Sequence, residues 1–423
     1  MVAKEQIRQV IYDQRNLFPD LGIERHIEQQ FVDCPEVLVI TGVRRCGKSV
    51  LMQQIRAKRN EKDYFISFDD DRLLHFTVDD FQTLYDVFVE DFGLQHTFYF
   101  DEIQMVDGWE HFVDRLYKHG NKVIVTGSNA KMLSRELGTL LTGRHVSKEV
   151  YPFSFAEYMA LSGTEINRDT LYTIEGRAML QNIQSDYLRE GGFPQYIKSK
   201  NVEYLKSLYN DILYRDIIVR YKLQTEKPIK ETMYYLISNA THQFSYNSVA
   251  KAVGVKSSET IKDYISYLEE TYLVGQLSKY DVKIGEQIKS AKKIYFIDNA
   301  LVNTIGFSFS KNEGTRLENA VYVELRRRGK ELFYHNDGNE CDFIVRDGMH
   351  ITEAYQVSVS LQDEKTRQRE LDGVCSAMKA YSLAEGFIIT REENEEIKAD
   401  EGIVHVVSFG RWVMNEKTIS GRQ

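Results

Sequence analysis

The sequence predicts an α/β protein of several domains, and three observations carry that prediction. Short runs of β-branched and aromatic residues alternate with amphipathic stretches across residues 37–126, the pattern of a parallel sheet with helices on both faces. From about 151 to 240 the pattern turns helical. From about 292 short strands return, so a second α/β region closes the chain. With 423 residues, 42% of them apolar, and only 5 prolines, the chain has material for roughly two to four cores.

Taken in order, residues 1–35 read as a polar helical lead-in with Ile7, Val10 and Ile11 at helical spacing. Val37-Leu38-Val39-Ile40 then reads as a buried strand that opens the first domain. Further strands are expected at Tyr64–Phe68, Thr97–Phe100 and Lys122–Thr126, with helices at 78–92 and 109–119 between them. The first domain is expected to end near residue 150. A helix begins at Ser154-Phe155-Ala156-Glu157-Tyr158, and long amphipathic stretches follow at 201–224 and 228–239. Residues 244–277 give helix, turn at Gly254 and helix, with Ser257 as a cap for the second. The last strands are expected at Lys293–Ile297, Leu332–His335, Asp342–Val345, Tyr355–Val359 and Gly386–Thr390. These expectations divide the chain at 1–150, 151–240, 241–290 and 291–423.

The formal charge of −9 argues against strong, indiscriminate polyanion binding, so any nucleic-acid contact must come from local basic patches. Cys34, Cys46, Cys341 and Cys375 lie far apart without metal-ligand spacing, which argues against a disulfide framework or a zinc site. No apolar signal core and no run of roughly 18 apolar residues is present. A cytoplasmic protein with no membrane partner is the expectation.

Gly42-Val43-Arg44-Arg45-Cys46-Gly47-Lys48-Ser49 matches G-x-x-x-x-G-K-[ST] directly after a predicted buried strand and before a helical stretch. That is the Walker A context. Glycine lets the loop bring backbone N–H groups against phosphate oxygens, and the following helix adds its positive dipole end. Residues Gly42 through Val50 are therefore the candidate ATP-binding segment, with Lys48 reaching the β- and γ-phosphates and Ser49 completing a Mg²⁺ shell. In Thr97-Phe98-Tyr99-Phe100-Asp101-Glu102-Ile103 a strand ends in two acids, the Walker B form. Asp101 is the expected holder of hydrated Mg²⁺ and Glu102 the general base that polarises the attacking water. The strand Val123–Thr126 ends in Gly127-Ser128-Asn129, so Ser128 and Asn129 are candidates for contact near the γ-phosphate; a plain strand-ending turn is the competing reading. Arg144 reads either as an arginine finger acting on a neighbouring subunit's nucleotide or as a surface salt-bridge partner.

Together these residues resemble a bacterial and archaeal AAA+ family in which the ATPase domain is followed by a DUF4143 region. The resemblance rests on the Walker segments, Phe100-Asp101-Glu102-Ile103-Gln104, Thr126-Gly127-Ser128-Asn129-Ala130, Tyr151-Pro152-Phe153-Ser154-Phe155-Ala156-Glu157-Tyr158, Gly191-Gly192-Phe193-Pro194 and Tyr214-Arg215-Asp216-Ile217. It implies a homo-oligomer, with a hexameric ring among the forms.

The helix–turn–helix at 244–277 looks like a winged helix. Its potential recognition helix carries Lys256 and Lys262 but also Glu259, Asp263, Glu269 and Glu270, so DNA contact and a helical spacer both stay open. The C-terminal part resembles the restriction-endonuclease-like PD-(D/E)XK fold through Glu318, Asp342 and Tyr355-Gln356-Val357-Ser358. Gln356 and Ser358 stand where active members carry an acid and a lysine, so a degenerate nuclease fold is expected. The basic run Arg326, Arg327, Arg328 and Lys330 reads as a phosphate contact or a solvated helix end. The functional expectation is an AAA+ ATPase that binds or remodels DNA, branched DNA included. A nucleotide-dependent protein switch and an ATP-dependent nuclease are the alternatives.

Overall fold

The computed structural model describes residues 1–15, 20–59, 61–128, 140–164, 173–306 and 312–414, and they form two compact units. The first comprises Met1–Tyr151 with Glu270–Tyr272; the second comprises Pro152–Glu269 and Leu273–Gln423.

The first unit is built on a five-stranded sheet of β1 (Val37–Gly42), β2 (Tyr64–Ser67), β3 (Thr97–Asp101), β4 (Lys122–Gly127) and β5 (His145–Val150). Every pairing is parallel and the order is β2-β3-β4-β1-β5. β1 is buried along its whole length, as a central strand with both faces covered must be. Strand β4 separates β1 from β3, so residues at its end lie between the two candidate phosphate-site motifs. β5 was not among the expected strands: His145, Ser147, Lys148 and Glu149 give it no apolar run, and an edge position makes none necessary.

The lead-in helix Lys4–Gln14 packs Ile7, Val10 and Ile11 into the core of this unit. Gln14 finishes the edge of β2, accepting from Ser67 N (2.8 Å) and donating to Ser67 O (2.9 Å). Aromatics fill the centre, with Phe81 stacked on Phe112 at 4.5 Å and Phe98, Phe100 and Trp109 fully buried. Each such side chain contributes roughly 1.5–3 kcal/mol through burial.

In the second unit the expected helix at 201–224 is split. Val202–Asp211 is α-helical, Ile212–Val219 continues as a π-helix, and Lys227–Ser238 forms the next helix. The helix–turn–helix is Tyr246–Val253 and Ser258–Glu270, with Ser245 capping the first and Gly254 in the left-handed conformation (φ 76°) ending it. A small sheet of β6 (Gln243–Phe244), β7 (Val274–Ser278) and β8 (Lys292–Phe296), ordered β6-β8-β7, accompanies it. A mixed six-stranded sheet follows: β9 (Glu331–Asn336), β10 (Glu340–Asp347), β11 (His350–Val357), β12 (Glu385–Thr390), β13 (Glu395–Ala399) and β14 (Gly402–Ser408) in the order β13-β14-β12-β11-β10-β9. β11, β12 and β14 are mutually parallel, and the remaining pairs are antiparallel.

Two segments that carry the family resemblance meet inside this unit. Phe153 N donates to Gly192 O (2.7 Å), and Gly192 N donates to Asp298 Oδ2 (2.6 Å). A Cβ at Gly191 would lie 2.2 Å from Asp298 Oδ2, and one at Gly192 2.3 Å from Phe153 O, so both positions need glycine for close approach.

Candidate functional site

Gly42 ends β1 and Lys48 begins the helix Lys48–Arg59, so the loop between them lies at the C-terminal edge of the parallel sheet. The backbone there is special: Gly42 has φ 144°, Gly47 φ 104° and Arg45 φ 66°. A Cβ on Gly42 would sit 2.1 Å from Val150 O. Lys48 is buried, with Nζ donating to Val43 O at 3.1 Å and standing 3.8 Å from Glu102 Oε1.

Register across the sheet brings the two Walker segments together. Asp101, at the end of β3, accepts from Ser49 Oγ (2.8 Å), Thr126 Oγ1 (2.6 Å) and Ser67 Oγ (3.0 Å). Burial, and then the neighbouring Glu102 charge, pushes the Asp101 carboxyl above its usual range; the three hydroxyls oppose that shift. Glu102 adopts a left-handed backbone (φ 50°, ψ 42°), and its N–H donates to Thr126 Oγ1 at 2.9 Å. Its Oε2 accepts from Gln104 Nε2 (2.5 Å) and Ser128 Oγ (3.4 Å). Burial opposes the Glu102 charge, but Lys48, the Gln104 amide, Arg44 and Ser128 outweigh it and hold the carboxyl below its usual range. Glu102 is therefore ionised at neutral pH, the state a general base needs.

The donor chemistry fits Mg²⁺ and a nucleotide phosphate. Ser49 Oγ and the Asp101 carboxylate are adjacent hard oxygens, while loop amides and Lys48 are cationic or N–H donors. Among the described residues no group of three or more His, Cys, Asp or Glu could hold a metal by itself. Mg²⁺ does not require one, because it keeps several waters and takes one or two protein oxygens beside substrate phosphates.

The AAA domain model matches residues 35–159, which contain both Walker segments, and a domain of unknown function, DUF8612, matches residues 181–312. An uncharacterized protein of Methanocaldococcus jannaschii is 33% identical over 410 residues, covering 92% of this chain and 90% of that protein. The chain belongs to this family of AAA-domain proteins. A second uncharacterized member, from Haemophilus influenzae, is 30% identical over 345 residues, covering 76% of this chain and 83% of that protein. Among solved structures, AMPPCP-bound DnaA from Aquifex aeolicus aligns at 16% identity with a TM-score of 0.25, covering 57% of this chain and 85% of that one. The Thermotoga maritima RuvB branch migration motor aligns at 12% with a TM-score of 0.29, covering 68% of this chain and 95% of that one. Superpositions this loose add nothing to the sheet order and loop already described.

Of the other residues singled out in this AAA-domain chain, Asn129 lies outside the described residues. Arg144 precedes β5, and its carbonyl accepts from Val37 N (2.9 Å) at the start of β1. The P-loop is at the other end of that strand, roughly 17 Å away at the usual rise per residue. The Arg144 guanidinium pairs with Asp114 at 2.5 Å.

In the second unit Glu318, Glu340 and Asp342 surround one buried amine. Lys293 Nζ, from β8, lies 2.7 Å from Glu340 Oε1, 2.9 Å from Asp342 Oδ1 and 3.4 Å from Glu318 Oε1. Burial disfavours that ammonium, but Asp342 and its neighbours more than compensate and hold it charged. Burial and the Asp342 charge push the Glu318 carboxyl up to about 7. Gln356 is engaged too, accepting from Asp342 N (3.1 Å) and donating to Glu370 Oε2 (2.6 Å). Glu353, also on β11, pairs with Lys330 at 2.7 Å. The basic run is used internally: Arg327 donates to Pro152 O (2.8 Å), and Arg328 pairs with Glu324 (2.9 Å) and lies over Trp412.

Sequence reasoning missed Ser67, Gln104 and Lys293. Gln104 was within reach of it, two residues beyond Glu102. Ser67 and Lys293 carry no local signal, since strand register alone brings them to their partners.

Proposed function

We propose that this protein is an oligomeric AAA+ ATPase that couples Mg-ATP hydrolysis to the binding or remodelling of DNA. The observation that carries the ATPase part is the meeting of Lys48, Ser49, Asp101 and Glu102 at one sheet edge, with Ser49 hydrogen-bonded to Asp101 and the Lys48 amine 3.8 Å from the Glu102 carboxylate. Lys48 and the loop amides would hold the phosphates, Ser49 and Asp101 would hold Mg²⁺, and Glu102 would take a proton from the attacking water. Mg²⁺, when bound, supplies charge neutralisation on the transferred phosphoryl group. Ser128 orients Glu102, and Asn129 is the further candidate on that segment.

The DNA part rests on reading residues 241–290 as a winged helix and the closing sheet as a restriction-endonuclease-like domain of the DUF4143 type, after a helical lid at 151–240. Assembly is proposed to bring Arg144 to a neighbouring subunit's nucleotide, since its own P-loop lies at the far sheet edge. Cutting is not part of this reading, because Lys293 neutralises the carboxylates that a metal would need. The acidic residues Glu259 and Asp263 on the second helix of the helix–turn–helix favour a second reading, a nucleotide-dependent switch for a protein partner. The test is ATPase rate with no DNA, duplex, single strand and four-way junction at fixed salt. Stimulation by one DNA form supports remodelling, and hydrolysis indifferent to all of them supports the switch.

A further inference from the structure

Arg25 precedes β1 and belongs to none of the motifs above, yet it touches the P-loop. Its backbone is pinned by Gln54, on the helix that follows the loop. Gln54 Oε1 accepts from Arg25 N (2.9 Å), and Gln54 Nε2 donates to Leu21 O and Ile23 O (2.8 Å each). The buried guanidinium then donates Nη1 to Cys46 O (2.6 Å) and Nη2 to Tyr151 O (2.7 Å).

The first of these bonds fixes more than a carbonyl. A trans peptide is planar, so the Cys46 C=O and the Gly47 N–H point in opposite directions. Holding the carbonyl toward Arg25 aims the Gly47 N–H away from it, to the side where a phosphate would lie. The left-handed backbone of residue 47 (φ 104°) already favours glycine, and a Cβ there would also stand 2.9 Å from Arg25 Nη1. The second bond reaches Tyr151, the last residue of the first unit before the chain passes to Pro152. Cys46 Sγ adds a parallel tie to Val150 O at 3.3 Å.

We infer that Arg25 is a positioning residue of the nucleotide site, which clamps the Cys46–Gly47 peptide from behind so that its N–H faces the phosphates and links that peptide to Tyr151. The inference rests on the P-loop being an ATP site. A lysine at 25 can reach one carbonyl but not both, because only the guanidinium presents a planar fork of donors.

The experiment compares wild type, Arg25→Lys, Arg25→Gln and Lys48→Ala for ADP dissociation constant, KM, kcat and the melting temperature without nucleotide. Losing a charge-assisted hydrogen bond to the loop predicts that Arg25→Gln raises KM and the ADP constant by about 10-fold or more, with kcat within about 3-fold. Arg25→Lys should recover part of that loss, which a purely structural role would not require. A folded Arg25→Gln with wild-type KM overturns the inference. Should Arg25→Gln fail to fold, Arg25→Lys with wild-type KM overturns it equally. Amide exchange in the wild type gives an independent check: ADP should slow exchange at Gly47, and unchanged exchange there with saturating ADP contradicts the orientation. A wild type that binds no ADP at all would instead sink the ATP-site reading and this inference with it.

Discussion

Ser49 Oγ donates to Asp101 Oδ1 at 2.8 Å, although the two residues lie 52 positions apart. This contact joins the residue after Lys48 to the end of β3, and on the proposed reading these are the two oxygens that would hold Mg²⁺. Ser49→Ala should raise the Mg²⁺ concentration needed for half-maximal hydrolysis by about 10-fold while leaving Mg²⁺-free ADP binding near wild type. Titrating hydrolysis with Mg²⁺ checks it; an unchanged requirement would place the cation elsewhere.

Arg144→Ala should leave ADP affinity within about 2-fold of wild type, because the residue sits at the opposite end of β1 from the P-loop. If Arg144 acts across subunits, hydrolysis falls on the order of 10³-fold and returns when Arg144→Ala is mixed with Lys48→Ala subunits. Absence of rescue at every mixing ratio counts against the shared site.

Removing the amine at the centre of the carboxylate cluster should be costly. Lys293→Met strands Glu318, Glu340 and Asp342 without their cation, a loss of about 3–5 kcal/mol for a buried pair broken on one side. Adding Asp342→Asn to that variant should restore part of the loss. Urea denaturation reads both, and a single variant within about 1 kcal/mol of wild type would mean the cluster is not held by Lys293.

Asp298 gives a pH prediction with a definite sign. Burial pushes its carboxyl up to about 6, against the N–H groups of Gly192, Leu301 and Ala300 that favour the charge. The folded state therefore holds a proton that the unfolded chain has released between about pH 4 and 6. The associated stability is fully present below about pH 4 and is lost as pH rises through about 6, by roughly 2–3 kcal/mol. Asp298→Asn removes this component, so the stability difference between wild type and variant should shrink over that interval. Parallel pH curves for the two proteins would contradict the assignment.

The P-loop was legible because its chemistry is contiguous: two glycines, a lysine and a serine follow one apolar strand, and no partner elsewhere is needed to recognise them. Asp101 and Glu102 were legible for the same reason. Arg144 shows the limit, since its residue type suggests a finger while only the strand register reveals that it precedes β5, beside the start of β1. Lys293 shows a different one. The sequence lacks a lysine at Ser358, and the amine that reaches Asp342 comes from another sheet, 49 residues earlier. The split at Ile212 went unseen because α and π periodicities cannot be separated over so few residues. The basic run at Arg326 reads in sequence as a phosphate contact or a solvated helix end, whereas Arg327 and Arg328 are taken up by Pro152, Glu324 and Trp412.

The most direct measurement is the steady-state ATPase rate of wild type against Glu102→Gln, with ADP binding measured on both. The account predicts Mg²⁺-dependent hydrolysis by the wild type, a fall of about 10²–10⁴-fold in Glu102→Gln, and undiminished nucleotide binding in the variant. Equal rates in the two proteins, or no hydrolysis by a wild type that is folded and saturated with ATP and Mg²⁺, would contradict it.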